Sequence, residues 1–288
     1  MEKPSILVSC VQFAPETADY MKNLRRMESF VEEIMEARPA TDLIVFPELS
    51  TTGYACTREE FAACTFAPED DPAIRRMRAL TGRFGTTVVF GLTERDLAGS
   101  GKPYNIAAVV SRGELLGIYR KIHVYDIEKK WSSQGSAYPV FDTPFGKLGL
   151  MICWDAAFPE PARIYALQGA EILAVLSNWE TYQEEPIPEK AQNWELALRA
   201  RAFDNYAAVV HANRVGEDRG FRFAGHSRII DRLGRVQATA DAAREEIVFA
   251  QIRMDVCSFR TEEYADILAD RRPETYGLLT GQEKEEKR

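Results

Sequence analysis

The strongest constraint in this chain is a repeating pattern. Short runs that are apolar on almost every residue alternate with stretches of helical spacing. Ser5–Phe13, Asp42–Pro47, Thr86–Leu92, Asn105–Ser111, Lys147–Ile152, Glu171–Ser177 and Tyr206–Ala212 are such runs. A segment apolar throughout reads as a strand covered on both faces, because a half-solvated strand would alternate. Between them, Thr17–Arg38 places Tyr20, Leu24, Met27, Val31, Ile34 and Met35 on one helical face. Pro72–Phe84 also reads as a helix. So does Lys190–Asp204, with Trp194, Leu198, Ala202 and Phe203 on one side. Arg112-Gly113 joins two strands in a hairpin. The class is α/β, and the pattern alone does not choose among α/β architectures. Val256–Ala269 reads as a further helix, followed by an arm, Arg271–Leu279. With no repeat, linker or break in composition, residues 1–281 read as one domain and 282–288 as a frayed tail.

Composition removes several classes of function. A net charge of −8 does not suit nucleic acid or an anionic membrane surface. No apolar run approaches the roughly 18 residues of a membrane span, and MEKPSILVSC does not read as a signal peptide. The five cysteines are odd in number and not in CxxC pairs, which points to reduced thiols and a cytoplasmic setting. The three histidines share no metal-ligand spacing, so no metal is expected.

Chemistry concentrates where apolar runs end. In KLGLMICWDAAFPEPAR, Lys147–Arg163, a strand gives way to a helix whose first turn accommodates Pro159 and Pro161. Cys153 stands at that junction. Following N–H groups there would favour a thiolate and could hold an oxyanion, which would make Cys153 the fast-alkylating thiol. The alternative is a buried structural cysteine. Glu48 closes DLIVFPE, where ligands of α/β sheets gather; it could instead be a solvated loop carboxylate. Lys121 closes another run and opens the irregular segment Arg120–Gly135. If the three meet, cysteine attacks a carbon bonded to nitrogen, the carboxylate shuttles the proton, and the ammonium with the Trp154 N–H stabilises the oxyanion. No cofactor is needed.

Five blocks in order carry a resemblance: DLIVFPELSTTGY, YRKIHVYDIEKKWSSQG, GKLGLMICWDAAFPEPAR, NWELALRARAFDNYAAVVHANRVG and FAGHSRIIDRLGRV. Together they resemble the nitrilase superfamily, the carbon–nitrogen hydrolases with a Glu-Lys-Cys triad, over nearly the whole chain. The resemblance implies a four-layer αββα sandwich with Glu48 as general base, Lys121 as oxyanion stabiliser and Cys153 as nucleophile. It further implies Glu128 as a supporting carboxylate, with Asp126 a near alternative, and a homodimer or larger homo-oligomer. In such an assembly the Arg271–Leu279 arm would cross to a partner or pack on its own chain.

Cys153-Trp154-Asp155 mixes the Cys-Trp-Glu typical of nitrilases with the Cys-Tyr-Asp of amide-cleaving branches, while FPEPAR resembles the amidase side. The expected substrate is a small amide or N-carbamoyl amine, with a nitrile as the alternative. Tyr54, Trp154 and Trp179 are expected substrate-pocket residues, and Trp131 a further candidate wall. Two other readings stand beside this one. A non-catalytic assembly protein could keep the fold, and Cys153→Ala tested for ammonia release separates it. A Cys-His hydrolase could use His123, which is otherwise expected to be a structural hydrogen-bonding residue. Arg201 is expected to hold structure.

Overall fold

Residues 4–96, 101–181, 187–255 and 266–281 are described in a computed structural model of the chain. Its strands in chain order are β1 (Ser5–Gln12), β2 (Leu43–Val45), β3 (Thr87–Glu94), β4 (Tyr104–Ser111), β5 (Glu114–Arg120), β6 (Phe141–Thr143), β7 (Gly146–Ile152), β8 (Ile172–Ser177), β9 (Glu180–Thr181), β10 (Ala208–Asn213), β11 (Glu217–Asp218), β12 (Phe221–Phe223), β13 (Arg228–Ile230), β14 (Val236–Thr239) and β15 (Glu246–Arg253). The helices are α1 (Tyr20–Ala37), α2 (Arg58–Ala63), α3 (Pro72–Phe84), α4 (Pro159–Leu167) and α5 (Ile187–Asn205).

The apolar runs assemble into two six-stranded sheets, ordered β15-β1-β2-β3-β4-β5 and β14-β13-β10-β8-β7-β6. Each has a parallel centre, β1-β2-β3 in one and β7-β8-β10 in the other, flanked by antiparallel strands. Alternate residues divide the work. Ile6, Val8, Cys10, Val45, Val89 and Val109 of the first sheet meet Leu148, Leu150, Ile152, Ala174 and Leu176 in a shared core. Ile44, Phe46, Val88 and Phe90 face Leu24, Met27 and Val31 of α1 and Met77 of α3. On the far side Ala162 and Tyr165 of α4 and Leu198 and Ala202 of α5 cover the second sheet. The layer order is αββα. Both sheets are sandwiched, so their central strands are largely apolar.

Local signals set the ends of elements. Asp71 accepts from the N–H groups of Ala73 and Ile74 at the start of α3, Pro72 fills its first position, and Gly85 ends it at φ 74°. Arg112 and Gly113, both at positive φ, make the β4–β5 hairpin.

Some expectations need correction. Phe203 does not join the buried face of α5; it is 37% exposed. Of the helix expected over 256–269, residues 256–265 lie outside the described residues, and 266–270 form a turn rather than a helix. The tail at 282–288 and Cys257 also lie outside them. Among the described residues, no helix is long and apolar enough to cross a membrane.

Candidate active site

The parallel centres deliver side chains to one end of the sandwich. Glu48 follows β2, Cys153 follows β7 and Asn178 follows β8. β5 runs in the same direction as β3, two antiparallel steps away, so Lys121 emerges at that end as well. Antiparallel β4 begins where those strands finish, which puts Asn105 beside them. Close approach is made possible by Gly91 in β3. A Cβ there would stand 2.4 Å from the Leu49 nitrogen and 2.6 Å from the Glu48 Cα, so only glycine lets the bend carrying Glu48 lie against β3. Leu49 and Cys153 hold φ near +50° without being glycine. That conformation costs of order 1 kcal/mol and clusters at functional sites.

Glu48, Lys121 and Glu128 form one buried row. Lys121 Nζ donates to Glu48 Oε1 at 2.8 Å and to Glu128 Oε2 at 2.6 Å. Glu48 Oε1 also accepts from Asn105 Nδ2 at 2.7 Å, and Oε2 from the Asn178 N–H at 3.0 Å. Glu128 comes from a 3-10 turn, Asp126–Lys130, inside the irregular segment, and its Oε2 also accepts the Tyr125 N–H. Of the two acidic candidates in that segment, Glu128 is the one on the lysine. Its Oε1 is buried without a hydrogen-bond partner among the described residues.

Burial works against the Lys121 ammonium, but the Glu128 and Glu48 carboxylates outweigh it and keep it charged well above the ordinary lysine range. Desolvation pushes the Glu128 carboxyl up to about 7, against the pull of Lys121. The Cys153 thiol is also pushed well up, by burial first and then by the Glu48 charge; Lys121 and the Asn178 N–H oppose this without reversing it. The N–H groups expected to favour a thiolate are therefore outweighed, and Cys153, 7% exposed, is held toward the thiol form, whose proton a carboxylate can take.

Comparisons with known proteins identify the family. The family model described as Carbon-nitrogen hydrolase matches residues 7–260. The chain belongs to the carbon–nitrogen hydrolase family. It is 40% identical to the Schizosaccharomyces pombe protein named "Probable nitrilase C965.09", over 94% of this chain and 97% of that one. It is 31% identical to an Arabidopsis thaliana N-carbamoylputrescine amidase over 95% of each. The crystal structure of a carbon–nitrogen hydrolase from Helicobacter pylori G27 superposes with a TM-score of 0.84 at 32% identity, covering 96% of this chain and 98% of that one.

In this hydrolase a cavity of about 80 Å3 opens beside Cys153, lined by Tyr54, Tyr125, Trp154, Asn178, Trp179, Glu180, Lys190 and Trp194 as well as the thiol. The expected pocket residues Tyr54, Trp154 and Trp179 all line it. Trp131 does not. It stacks on Phe61 at 4.0 Å between centroids in a small cluster with Leu49, Tyr54 and Phe223. Trp131 thus packs behind the pocket wall.

Asp155 holds the hydrolase site together from behind and was not singled out by sequence as more than part of a motif. Its buried carboxylate accepts from the Ile152 N–H, the Tyr119 hydroxyl and the His123 N–H, and bonds His123 Nδ1 at 2.7 Å. Tyr119 and His123 flank Lys121, so one carboxylate ties the end of β5 to the bend at Cys153. His123 also stacks on Phe158 and takes a structural place. Arg201 donates to the Ala156 and Ala157 carbonyls of the turn after Cys153. Asn105 and Asn178 were missed. The signal for Asn178 was a polar SNW closing an apolar run; Asn105, at the start of a run, carried none.

Proposed function

We propose that this protein hydrolyses the C–N bond of a small amide or N-carbamoyl amine through a thioester on Cys153, releasing ammonia or an amine. The observation that carries the reading is the buried row of Glu48, Lys121 and Glu128, whose charges act on the Cys153 thiol. Buried charges are retained at a cost unless something uses them. A scaffold would be better served by apolar side chains.

In the first half-reaction Glu48 takes the Cys153 proton as sulfur attacks the carbonyl carbon. A carboxylate has about four acceptor positions. Lys121, Asn105 and Asn178 occupy three on Glu48, which leaves room for the thiol proton. The oxyanion is stabilised by the Lys121 ammonium and the Trp154 N–H. Glu48 then protonates the departing nitrogen as the C–N bond breaks, giving the thioester. Water attacks it, Glu48 accepts the water proton, and the thiol is restored as the acid leaves.

What favours an amide over a nitrile is Phe158–Arg163, FPEPAR, which resembles the amidase side of the family. The names of relatives point both ways, since one is called a nitrilase and another an N-carbamoylputrescine amidase. The test is ammonia release across short amides, carbamoyl amines and nitriles, comparing the natural chain with Cys153→Ala. Release from amides or carbamoyl amines that disappears in the variant is expected. Equal release by both proteins, or turnover of nitriles alone, would sink the reading.

A further inference from the structure

His211 lies in the centre of the second sheet and has no role in the reaction above. It is fully buried, and neither ring nitrogen has a hydrogen-bond partner among the described residues. An unsatisfied buried polar group costs about 1–3 kcal/mol, so an aliphatic residue would fill this place more cheaply. An aliphatic side chain, however, has no flat face. The imidazole stacks on Trp179 at 4.2 Å between centroids, and on its other side Trp179 stacks on Trp194 at 3.9 Å with planes 11° apart. Trp194 in turn meets the edge of Trp154, the residue after the nucleophile. β10 grips Trp179 a second time, two residues on, where Asn213 Oδ1 accepts the Trp179 N–H at 2.9 Å. The groups facing His211 are Arg228, its cross-strand partner on β13, and the Trp179 ring; Arg228 is engaged by Glu195 of α5 at 3.3 Å. Burial, with Arg228 adding to it, keeps the imidazole neutral.

We propose that His211 is a positioning residue for substrate binding: its ring backs Trp179 and fixes that indole, with Trp194, as a flat wall of the pocket beside Cys153. The wall would contact the part of an amide substrate beyond the scissile carbonyl, so its effect falls on binding and not on the chemical step. The kinetic consequence rests on the hydrolase reading; the structural one does not.

The experiment compares His211→Leu, which fills the space without a flat face, with His211→Phe, which keeps one. Far-ultraviolet circular dichroism should show an exciton couplet from the stacked Trp179–Trp194 pair in the natural protein and in the Phe variant, and lose it in the Leu variant. For the larger amides turned over, the Leu variant should raise KM about tenfold, the equivalent of one aromatic contact of about 1.4 kcal/mol. Its kcat should stay within about twofold, and the shortest amide should be unaffected. A Leu variant with the natural couplet and KM overturns the proposal, because His211 would then be mere filling. A fall in kcat with KM unchanged overturns it too. Should the Phe variant fail to fold, the Leu variant alone decides. If the natural protein turns over no amide or carbamoyl amine, the hydrolase reading falls while the couplet still judges the wall.

Discussion

Replacing Lys121 with methionine keeps most of the side-chain volume and removes the charge between two buried carboxylates. Glu48 and Glu128 accept from Nζ at 2.8 and 2.6 Å and have essentially no contact with water. Breaking a buried ion pair by removing one partner costs about 3–5 kcal/mol. For a chain of this size that amounts to a fall in melting temperature of roughly 5–8 °C. The loss should depend on pH. Glu128 already titrates up to about 7 with the lysine present, against an ordinary 4.5, and losing the lysine moves it higher. A carboxyl raised on folding stabilises fully below its unfolded value and loses that contribution as pH rises through the folded one. The deficit of Lys121→Met should therefore be small near pH 4.5 and grow to its full size above pH 7. Adding Glu128→Gln should recover much of it at pH 8, since only one buried carboxylate then remains. Calorimetric melts of the four proteins of this cycle at pH 5 and pH 8 provide the assay. Equal deficits at the two pH values, or no recovery in the double variant, would refute the reasoning. Ammonia release should fall by about 10²–10³-fold in Lys121→Met, as for loss of one oxyanion donor.

Glu48→Gln should lower amide turnover by about 10²–10⁴-fold, because an amide cannot carry the proton; steady-state ammonia release checks it, and a loss under tenfold would remove Glu48 from that role. Alkylation of Cys153 by iodoacetamide should be slow at neutral pH and should still be accelerating at pH 9, since burial and Glu48 hold the thiol above its ordinary 9.0; a rate plateau near pH 7, read by mass mapping, would restore the resting thiolate. His123→Asn should leave turnover within about threefold, and a hundredfold fall would revive a Cys-His hydrolase. If the Arg271–Leu279 arm crosses to a partner copy, the first of the two places expected for it, then Leu278→Asp with Leu279→Asp should lower the sedimenting mass, because these residues are 91% and 70% exposed in the single chain; unchanged sedimentation would place any pairing elsewhere.

Much of this fold was legible because burial on both faces leaves an unambiguous mark. β1, β3, β8 and β10 are apolar almost throughout, which marks the α/β class, whereas the αββα layer order followed only from the family resemblance. Glu48 and Cys153 were legible because a polar residue ending such a run is anomalous. Lys121 alone was not; only the shared pattern of strand ends made it stand out. Asn105, Asn178 and Asp155 fell outside the reach of spacing, because their partners lie 57, 130 and 36 residues away in the chain. Trp131 was left open between pocket wall and core packing for a related reason. An aromatic residue beside a catalytic segment has the same local signature whether its ring faces a cavity or stacks on Phe61.

The state of the thiol was the least legible feature, and it shapes the chemistry most. A helix start beside a cysteine argues for thiolate if only local dipoles are counted. The folded chain adds two carboxylates to the one ammonium, together with a near-complete loss of water, and all but the ammonium favour the protonated form. A resting thiolate beside Glu48 and Glu128 would be a third negative charge around a single lysine. A thiol held toward its protonated form would limit the buried row to two carboxylates and one cation. Proton transfer to Glu48 then exchanges one anion for another without adding to the total, and the charge that next develops on the substrate oxygen meets an ammonium already in place. On this account Glu48 acts when the thiol attacks, not before, so removing its carboxylate should impair catalysis even where the fold and the cysteine are intact.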